Sequence, residues 1–378
     1  MSDQQILSLS EQREQIQAYL KAAGISRMFL ICGLSVSRLR IYDLVCGLLE
    51  ELSIEIVHFT DFCPNPQYFS VVEGVRAFRE NDCDGILAIG GGSAIDVAKC
   101  TKLYAHLDTQ TDFLQQKHLP NHIPLIVVPT TAGSGSEATR FAVIYREGSK
   151  LSISHADLIP SLVIQYSAVL NELPVYQKKA TVLDALCHCM ESIWSVNATR
   201  ESKQYAADGL TCILENIDAY ISGDADTNQL MMKAAWAAGK AINLSQTTAG
   251  HAMSYKLTDM FGLAHGHAVA LCVDKILPFM LLHIEDSEMC LDCRGCEYLK
   301  TTLQWLSRVM GGKGMEDAAL IFHQLLVRLD MDSTLRCSEE ELEVLADSVN
   351  MERLKNHPMK LDDKTIRYLY REMMQGKP

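Results

Sequence analysis

"GILAIGGGSAIDVAK", residues 85–99, decides how the front half of this chain folds. Its opening residues form an apolar run of strand length, the pattern of a strand covered on both faces. Gly90, Gly91 and Gly92 then interrupt it, and a helical pattern begins at Ser93. Without Cβ atoms the backbone can approach a ligand closely, and the unpaired N–H groups at a helix start suit a phosphate. A plain strand–helix turn needs one glycine, so three in succession predict an anion-binding loop. The spacing is not G-x-G-x-x-G, and the usual dinucleotide fingerprint is absent.

Outward from this unit the same alternation continues on both sides. "SLSEQREQIQAYLKAAG" predicts a helix with a capping box from Ser8 to Glu11 and a stop at Gly24. "RMFLICG", "IEIVHF" and "PLIVVPT" predict strands, separated by helical stretches such as "RIYDLVCGLLEEL" and "YFSVVEGVRAFREN". Strands alternating with helices imply an α/β domain with a doubly wound, mostly parallel sheet. "FAVIYREGSKLSISH" predicts an appended hairpin. After about Leu170 strand signals stop and long helical patterns take over. The expected division is a dinucleotide-binding α/β domain over 1–168 and an all-α domain over 169–378, with the seam near "SAVLNELPVYQ". A second glycine-rich loop, "VVPTTAGSGSEAT", follows a strand end, where doubly wound sheets bind their ligands. Thr130, Thr131 and Ser134 stand in it.

At 378 residues the chain suits two domains, with 48% hydrophobic and 21% charged residues. A net charge of −13 argues against binding a nucleic-acid backbone but not against a small anion, which senses only the local field. The first residues, "MSDQQILSLSEQREQ", contain no apolar export signal, and no apolar run reaches the length of a membrane span. The expectation is therefore a cytoplasmic protein with no membrane partner and with reduced thiols, despite thirteen cysteines. Cys290, Cys293 and Cys296 show a C-x2-C-x2-C spacing, but no fourth ligand stands at conventional distance, and they read as loose surface thiols.

Asp184 and His188 in "VLDALCHCME" lie one helical turn apart on one face. In "TTAGHAMSYKLTDMFGLAHGHAVALCV", His251 and His265 would be about 21 Å apart on one straight helix. For them to meet, the chain must fold back, and Gly262 and Gly266 are placed to allow it. Three imidazoles and one carboxylate would make a site for iron(II) or zinc, with room for a substrate oxygen. His267 faces away from His265 and is left between a catalytic and a structural role.

In order and spacing, "GGGSAIDVAK", "PTTAGSGSEAT", "LDALCHCMES", "GHAMSYKLTDMFGLAHGHAVAL" and "LKNHPMKLDDKTIRYLY" resemble the signatures of the iron-containing (group III) alcohol dehydrogenase family. The motifs run from about Cys32 to Tyr370. The resemblance implies a dehydroquinate synthase-like fold and a metal in the cleft between the domains, with Asp184, His188, His251 and His265 as its ligands. It also implies that Gly91, Gly92 and Ser93 form the pyrophosphate loop, with Gly90 and Asp96 counted among the cofactor-binding residues. Thr130, Thr131, Ser134 and Lys150 then lie near the nicotinamide ribose. The implied cofactors are iron(II), with zinc as the alternative, and NADPH or NADH; the implied assembly is a homodimer.

Three positions depart from the family pattern. Gly33 stands where many members carry an aspartate that reads the adenosine ribose. With Arg38 and Arg40 nearby in sequence, this favours NADPH. Tyr255 replaces a frequent histidine and is the candidate proton donor. Tyr166 replaces a frequent aspartate, with no function attached. The implied reaction is reduction of a small aldehyde to a primary alcohol, with hydride from the nicotinamide and metal polarisation of the carbonyl.

Lys256 and Arg140 are candidate anchors for an anionic substrate group, and "HAMSYKLT" with "SEATRFAVIY" resembles members that reduce phosphonoacetaldehyde to 2-hydroxyethylphosphonate. A neutral short-chain aldehyde, a carboxylated semialdehyde and a non-enzymatic metal or nucleotide sensor stay open as alternatives. A dehydroquinate synthase-like ligand set, with glutamate and two histidines, is disfavoured by Asp184 and His188.

Overall fold

The computed structural model describes residues 4–374, so the stretch read for an export signal begins outside them. The chain divides into two compact units, Met1–Leu173 and Pro174–Pro378. The division falls just beyond a short 3-10 segment, Ser167–Glu172, which lies across the expected seam at 168/169.

The first unit is built on eight strands: β1 (Gln5–Ser8), β2 (Arg27–Cys32), β3 (Glu55–Phe59), β4 (Gly85–Gly90), β5 (Leu125–Pro129), β6 (Phe141–Arg146), β7 (Ser149–Ser154) and β8 (Leu162–Gln165). Its helices are α1 (Arg13–Ala22), α2 (Arg40–Glu51), α3 (Tyr68–Glu80) and α4 (Gly92–Tyr104). Six strands form a parallel sheet in the order β1-β8-β5-β4-β2-β3, and β6 and β7 form a separate antiparallel hairpin. From β2 the chain moves outward to β3, whereas from β4 it moves the other way to β5. The strand order therefore reverses between β2 and β4, the place where sheets of this kind bind ligands beyond their carboxyl ends. The loops starting at Gly33 and Gly90 both leave from that point.

The strand "GILAIG" is buried along its whole length, which explains why it is continuously apolar rather than alternating. Phe29 packs edge-on to Phe78 at 5.7 Å and tilted to Phe59 at 5.6 Å in one core. Tyr104, Phe113, Val71 and Ile144 fill a second core under the hairpin.

Two sequence expectations change here. Ser8 ends a strand instead of capping a helix, and α1 starts at Arg13 after Gln12, with no side-chain cap. The four-residue strand β1 takes Ser8 because its backbone pairs with β8 in the sheet. Neither β1 nor β8 is among the expected strands.

The second unit is helical among its described residues: α5 (Val175–Trp194), α6 (Arg200–Ser222), α7 (Thr227–Ser245), α8 (Ala249–Phe261), α9 (His265–His283), α10 (Cys296–Val309), α11 (Asp317–Arg328), α12 (Glu339–Asp347), α13 (Met351–Leu354) and α14 (Asp363–Met374). Helix α9 is long and apolar enough to cross a membrane by length and composition, but 72% of its most apolar window is buried inside the protein. It is the core helix of this unit.

Gly262 ends α8 in the left-handed conformation, φ 64°, as the expected reversal requires. Gly266 serves another purpose. It lies inside the first turn of α9, where an added Cβ would sit 2.0 Å from the Ala180 carbonyl oxygen and 2.6 Å from Asp184 Cβ. Helix α9 therefore starts directly against the backbone of α5. Gly266→Ala is expected to lower stability by about 1–3 kcal/mol through overpacking, measured by denaturant unfolding; an unchanged midpoint would show that α9 can move away freely.

Candidate active site

In the first unit the two glycine-rich loops pack on each other. A Cβ on Gly91 would meet Thr131 Oγ1 at 3.3 Å, and one on Gly92 would meet Ser134 Oγ at 3.2 Å. Gly90, at φ 158°, would bring a Cβ to 2.7 Å from Ala94. Thr130 N donates to the Gly90 carbonyl at 3.1 Å, joining the ends of β5 and β4. Side chains at these glycines would press on the facing loop or on the start of α4, so the backbone there stays bare. Ser93 lies in the first turn of α4, and its Oγ accepts from Asn65 N at 3.4 Å.

Asp96, expected among the cofactor-binding residues, is bonded to the second loop and to the hairpin. Its carboxylate is buried and accepts from Ser136 Oγ at 2.8 Å and from Val143 N at 3.0 Å. One helical turn on, fully buried Lys99 donates to the carbonyls of Ser136, Thr139 and Phe141 at 2.6, 2.8 and 2.7 Å. Burial pushes the Lys99 ammonium down to about 8, against the charge of Asp96. Burial raises Asp96, opposed by Lys99. These two residues clamp the second loop to α4. Lys150 stands in β7 opposite Tyr145, half-buried. Gly33 follows β2, with open space where its Cβ would stand, and Arg38 and Arg40 are exposed.

In the second unit α5 carries Asp184, His188 and Glu191, the spacing of one helical stripe. The ligand atoms of Asp184, His188 and His251 lie within 4.8 Å of one another, and all three residues are buried. No other group of three or more His, Cys, Asp or Glu side chains among the described residues converges so closely; Cys290, Cys293 and Cys296 do not. The His188 and His251 rings stack with centres 4.4 Å apart. The chain does fold back: the His265 ring centre lies 5.6 Å from that of His251. His265 borders the cluster without entering it at 4.8 Å.

Glu191 is completely buried and orients the site, and sequence reading misses it. Its Oε1 accepts from Thr248 N at 3.0 Å, Thr248 Oγ1 at 2.6 Å and Gly250 N at 2.9 Å, while Oε2 contacts His251 Nδ1 closely. One carboxylate thus caps the start of α8 and takes the Nδ1 proton of His251. That fixes the tautomer and turns the Nε2 lone pair of His251 inward, where it faces Asp184 Oδ1 at 3.3 Å. Neither atom has a hydrogen-bond partner. Two buried lone pairs so close together repel unless a cation stands between them. This donor set fits a borderline divalent ion such as iron(II) or zinc.

Burial alone would lower the His251 imidazole, but Glu191 and Asp184 raise it to about 9, so with no metal bound a proton on Nε2 takes the place between it and Asp184 Oδ1, and a divalent ion must displace it. Burial would raise Asp184, yet the neighbouring imidazoles, His188 foremost, hold it below the usual carboxylate range.

The tyrosines around this cluster have separate jobs. Tyr255 stacks on His265, ring centres 5.6 Å apart and 10° between planes, and its Oη accepts from Arg353 Nη1 at 3.1 Å. Tyr176 Oη accepts from Ala264 N at 3.0 Å and lies 3.1 Å from His267 Nδ1, while His267 Nε2 lies 3.1 Å from the Met331 carbonyl. With Nε2 donating to that carbonyl, Nδ1 is left to accept from Tyr176. These contacts make His267 a buried strut at the start of α9, where His265 sits, which fits the structural one of its two expected roles. Lys256 is half-buried on α8. Five helical positions after His251, it is turned about 140° away from it. Arg140 lies in the first unit with its guanidinium 5.3 Å from the ring centre of Phe141.

Stripping the protein with a chelator should lower its thermal midpoint. Restoring iron(II) or zinc at about 100 times its Kd should return roughly 2.7 kcal/mol. Glu191→Gln is expected to weaken metal binding by about 10–100-fold in a competition titration. A midpoint indifferent to both ions would sink the metal assignment.

The family model described as iron-containing alcohol dehydrogenase matches residues 4–166, and that of the Fe-containing alcohol dehydrogenase family, C-terminal, matches 178–374. A phosphonoacetaldehyde reductase of Streptomyces viridochromogenes is 30% identical over 310 residues, covering 79% of this chain and 78% of that protein. A probable alcohol dehydrogenase of Salmonella typhimurium is 31% identical over 268 residues, 68% of this chain and 67% of that one. Among solved structures, sulfoacetaldehyde reductase from Bifidobacterium kashiwanohense in complex with NAD+ superposes with a TM-score of 0.86 at 24% identity, covering 100% of this chain and 98% of that chain. An iron-containing alcohol dehydrogenase from Thermotoga maritima gives a TM-score of 0.82 at 25% identity, covering 99% and 98%. Matched along both units, the chain belongs to the iron-containing alcohol dehydrogenase family and is an NAD(P)-dependent alcohol dehydrogenase or aldehyde reductase.

Proposed function

We propose that this enzyme reduces phosphonoacetaldehyde to 2-hydroxyethylphosphonate, with NADPH as the preferred hydride donor, iron(II) as the metal and a homodimer as the working assembly. The observation that carries the substrate is the 30% identity with a phosphonoacetaldehyde reductase over most of both chains. The reaction takes aldehyde, NADPH and one proton to primary alcohol and NADP+.

When bound among Asp184, His188, His251 and His265, a divalent ion supplies Lewis acidity for the carbonyl oxygen. The residues do the rest. Glu191 holds His251 in one tautomer, so that the inward nitrogen stays a lone-pair donor. Gly91, Gly92 and Ser93 offer backbone N–H groups to the pyrophosphate, with Thr130, Thr131, Ser134 and Lys150 proposed for the nicotinamide ribose. Tyr255 supplies the proton. Burial raises its phenol to about 12, so at neutral pH it carries the proton that the developing alkoxide needs.

The cofactor preference rests on Gly33, where no carboxylate stands to repel a 2′-phosphate and nothing lies within 4 Å of a Cβ. Gly33→Asp should lower the NADPH-to-NADH ratio of kcat/KM by about tenfold or more through like-charge repulsion; an unmoved ratio would detach position 33 from the ribose. For the substrate, kcat/KM of the iron(II)-loaded protein should be at least about tenfold higher for phosphonoacetaldehyde than for propanal. Equal values would return the enzyme to a neutral short-chain aldehyde.

A further inference from the structure

We propose that Arg353 is the residue that receives the anionic end of the substrate, a phosphonate or chemically equivalent oxyanion one carbon away from the carbonyl carbon. The inference rests on the aldehyde-reductase reading above and adds a specificity residue to it.

Arg353 lies on the short helix α13, fixed by Asn350, whose side chain accepts from Glu352 N at 2.9 Å, and by buried Leu354. Its guanidinium carbon stands 5.3 Å from the centre of the Tyr255 ring, and Nη1 donates to Tyr255 Oη at 3.1 Å. Tyr255 stacks on His265 with ring centres 5.6 Å apart. Laid end to end, those separations put the guanidinium no farther than about 11 Å from the His265 ring centre. A phosphonoacetaldehyde skeleton spans roughly 4 Å from carbonyl oxygen to phosphorus by ordinary bond lengths. With hydrogen-bonding distance added at both ends, the reach of such a molecule is of the same order as that upper limit.

The charge on Arg353 is the second observation. The chain carries 47 acidic against 34 basic residues, so a half-buried arginine readily finds a carboxylate. Arg294 pairs with Asp292 at 2.7 Å and Arg146 with Asp112 at 2.6 Å. Arg353 is half-buried as well, yet among the described residues its guanidinium contacts only the phenol and ring of Tyr255. Most of its planar fork is uncommitted, and that fork matches two oxygens of a phosphonate or carboxylate at once. Lys256, five positions after the proposed ligand His251, is turned away from it on α8 and offers only a point charge.

Arg353→Ala and Arg353→Gln test this; the glutamine keeps an N–H donor for Tyr255 but no charge. In the iron(II)-loaded full chain, either change should lower the phosphonoacetaldehyde-to-propanal ratio of kcat/KM by at least about 30-fold, mostly through KM for the phosphonate. Lys256→Ala should leave that ratio within about threefold. Calorimetric titration of the metal-free protein with 2-hydroxyethylphosphonate should show at least about tenfold weaker binding in both Arg353 variants. If the wild type prefers the phosphonate and the Arg353 variants lose both aldehydes equally, Arg353 only holds the Tyr255 ring; the anchor is overturned and the substrate proposal stands. If the wild type shows no preference, both fall. Should Arg353→Ala fail to fold by circular dichroism, the glutamine variant carries the test, and unchanged product binding in it overturns the anchor.

Discussion

Everything in the second unit is arranged around Glu191, a buried carboxylate. An ionised carboxylate away from water costs several kcal/mol unless hydrogen bonds replace its hydration. Glu191 has that replacement from the first amides of α8, the Thr248 hydroxyl and the His251 ring. Thr248 in turn accepts from Trp194 Nε1 at 2.9 Å, so the cap and the end of α5 are tied by one chain of bonds. The same contact that satisfies the charge fixes where α8 begins and which nitrogen of His251 faces Asp184. The metal cluster is thus a by-product of a helix cap. Substituting Glu191 would disturb the helix start and the ligand together, which is why its effect belongs in a metal-affinity measurement rather than in activity alone.

The first unit solves the opposite problem. There the backbone must be bare, and glycines make it so, but bare loops need holding. Asp96 and Lys99, one turn apart on α4, do the holding from beneath, with both charges buried against each other and against the second loop. The motif "GGGSAIDVAK" therefore contains two kinds of residue. Its glycines keep backbone bare where the two loops meet, and its charged pair is bonded within the protein. Motif matching cannot tell these apart, since both recur together; hydrogen-bond partners can.

Sequence carries the doubly wound sheet, the appended hairpin, the helical second unit and the convergence of His251 with His265, because each depends on local periodicity or on a spacing that one turn of chain must bridge. What it hides is non-local. Strand β1 is four residues long and acquires its identity only from β8, more than 150 positions away, so Ser8 reads locally as a cap. Gly266 reads as a turn residue, whereas its use is an approach to the α5 backbone that no local pattern shows. Glu191 was within reach: seven positions after Asp184 and three after His188, it continues their stripe, but an acid on a helix ordinarily reads as solvated. Arg353 is almost a hundred residues from Tyr255 and belongs to no motif, so only the folded chain brings them together.

The tyrosine at 255 gains its meaning from these neighbours. A histidine four positions after His251 would stand on the same helical face and add another nitrogen able to compete for the ion. Burial raises the Tyr255 phenol, which favours its protonated form beside the buried cluster of Asp184, His188 and His251. Its ring contacts both His265, at 5.6 Å between ring centres, and the Arg353 guanidinium, at 5.3 Å from the ring centre. One neutral aromatic thus holds an imidazole and a cation at fixed distances from itself. An aldehyde with an oxyanion at its far end needs that arrangement of charges: one centre for the carbonyl oxygen, another for the anion, and a proton between them.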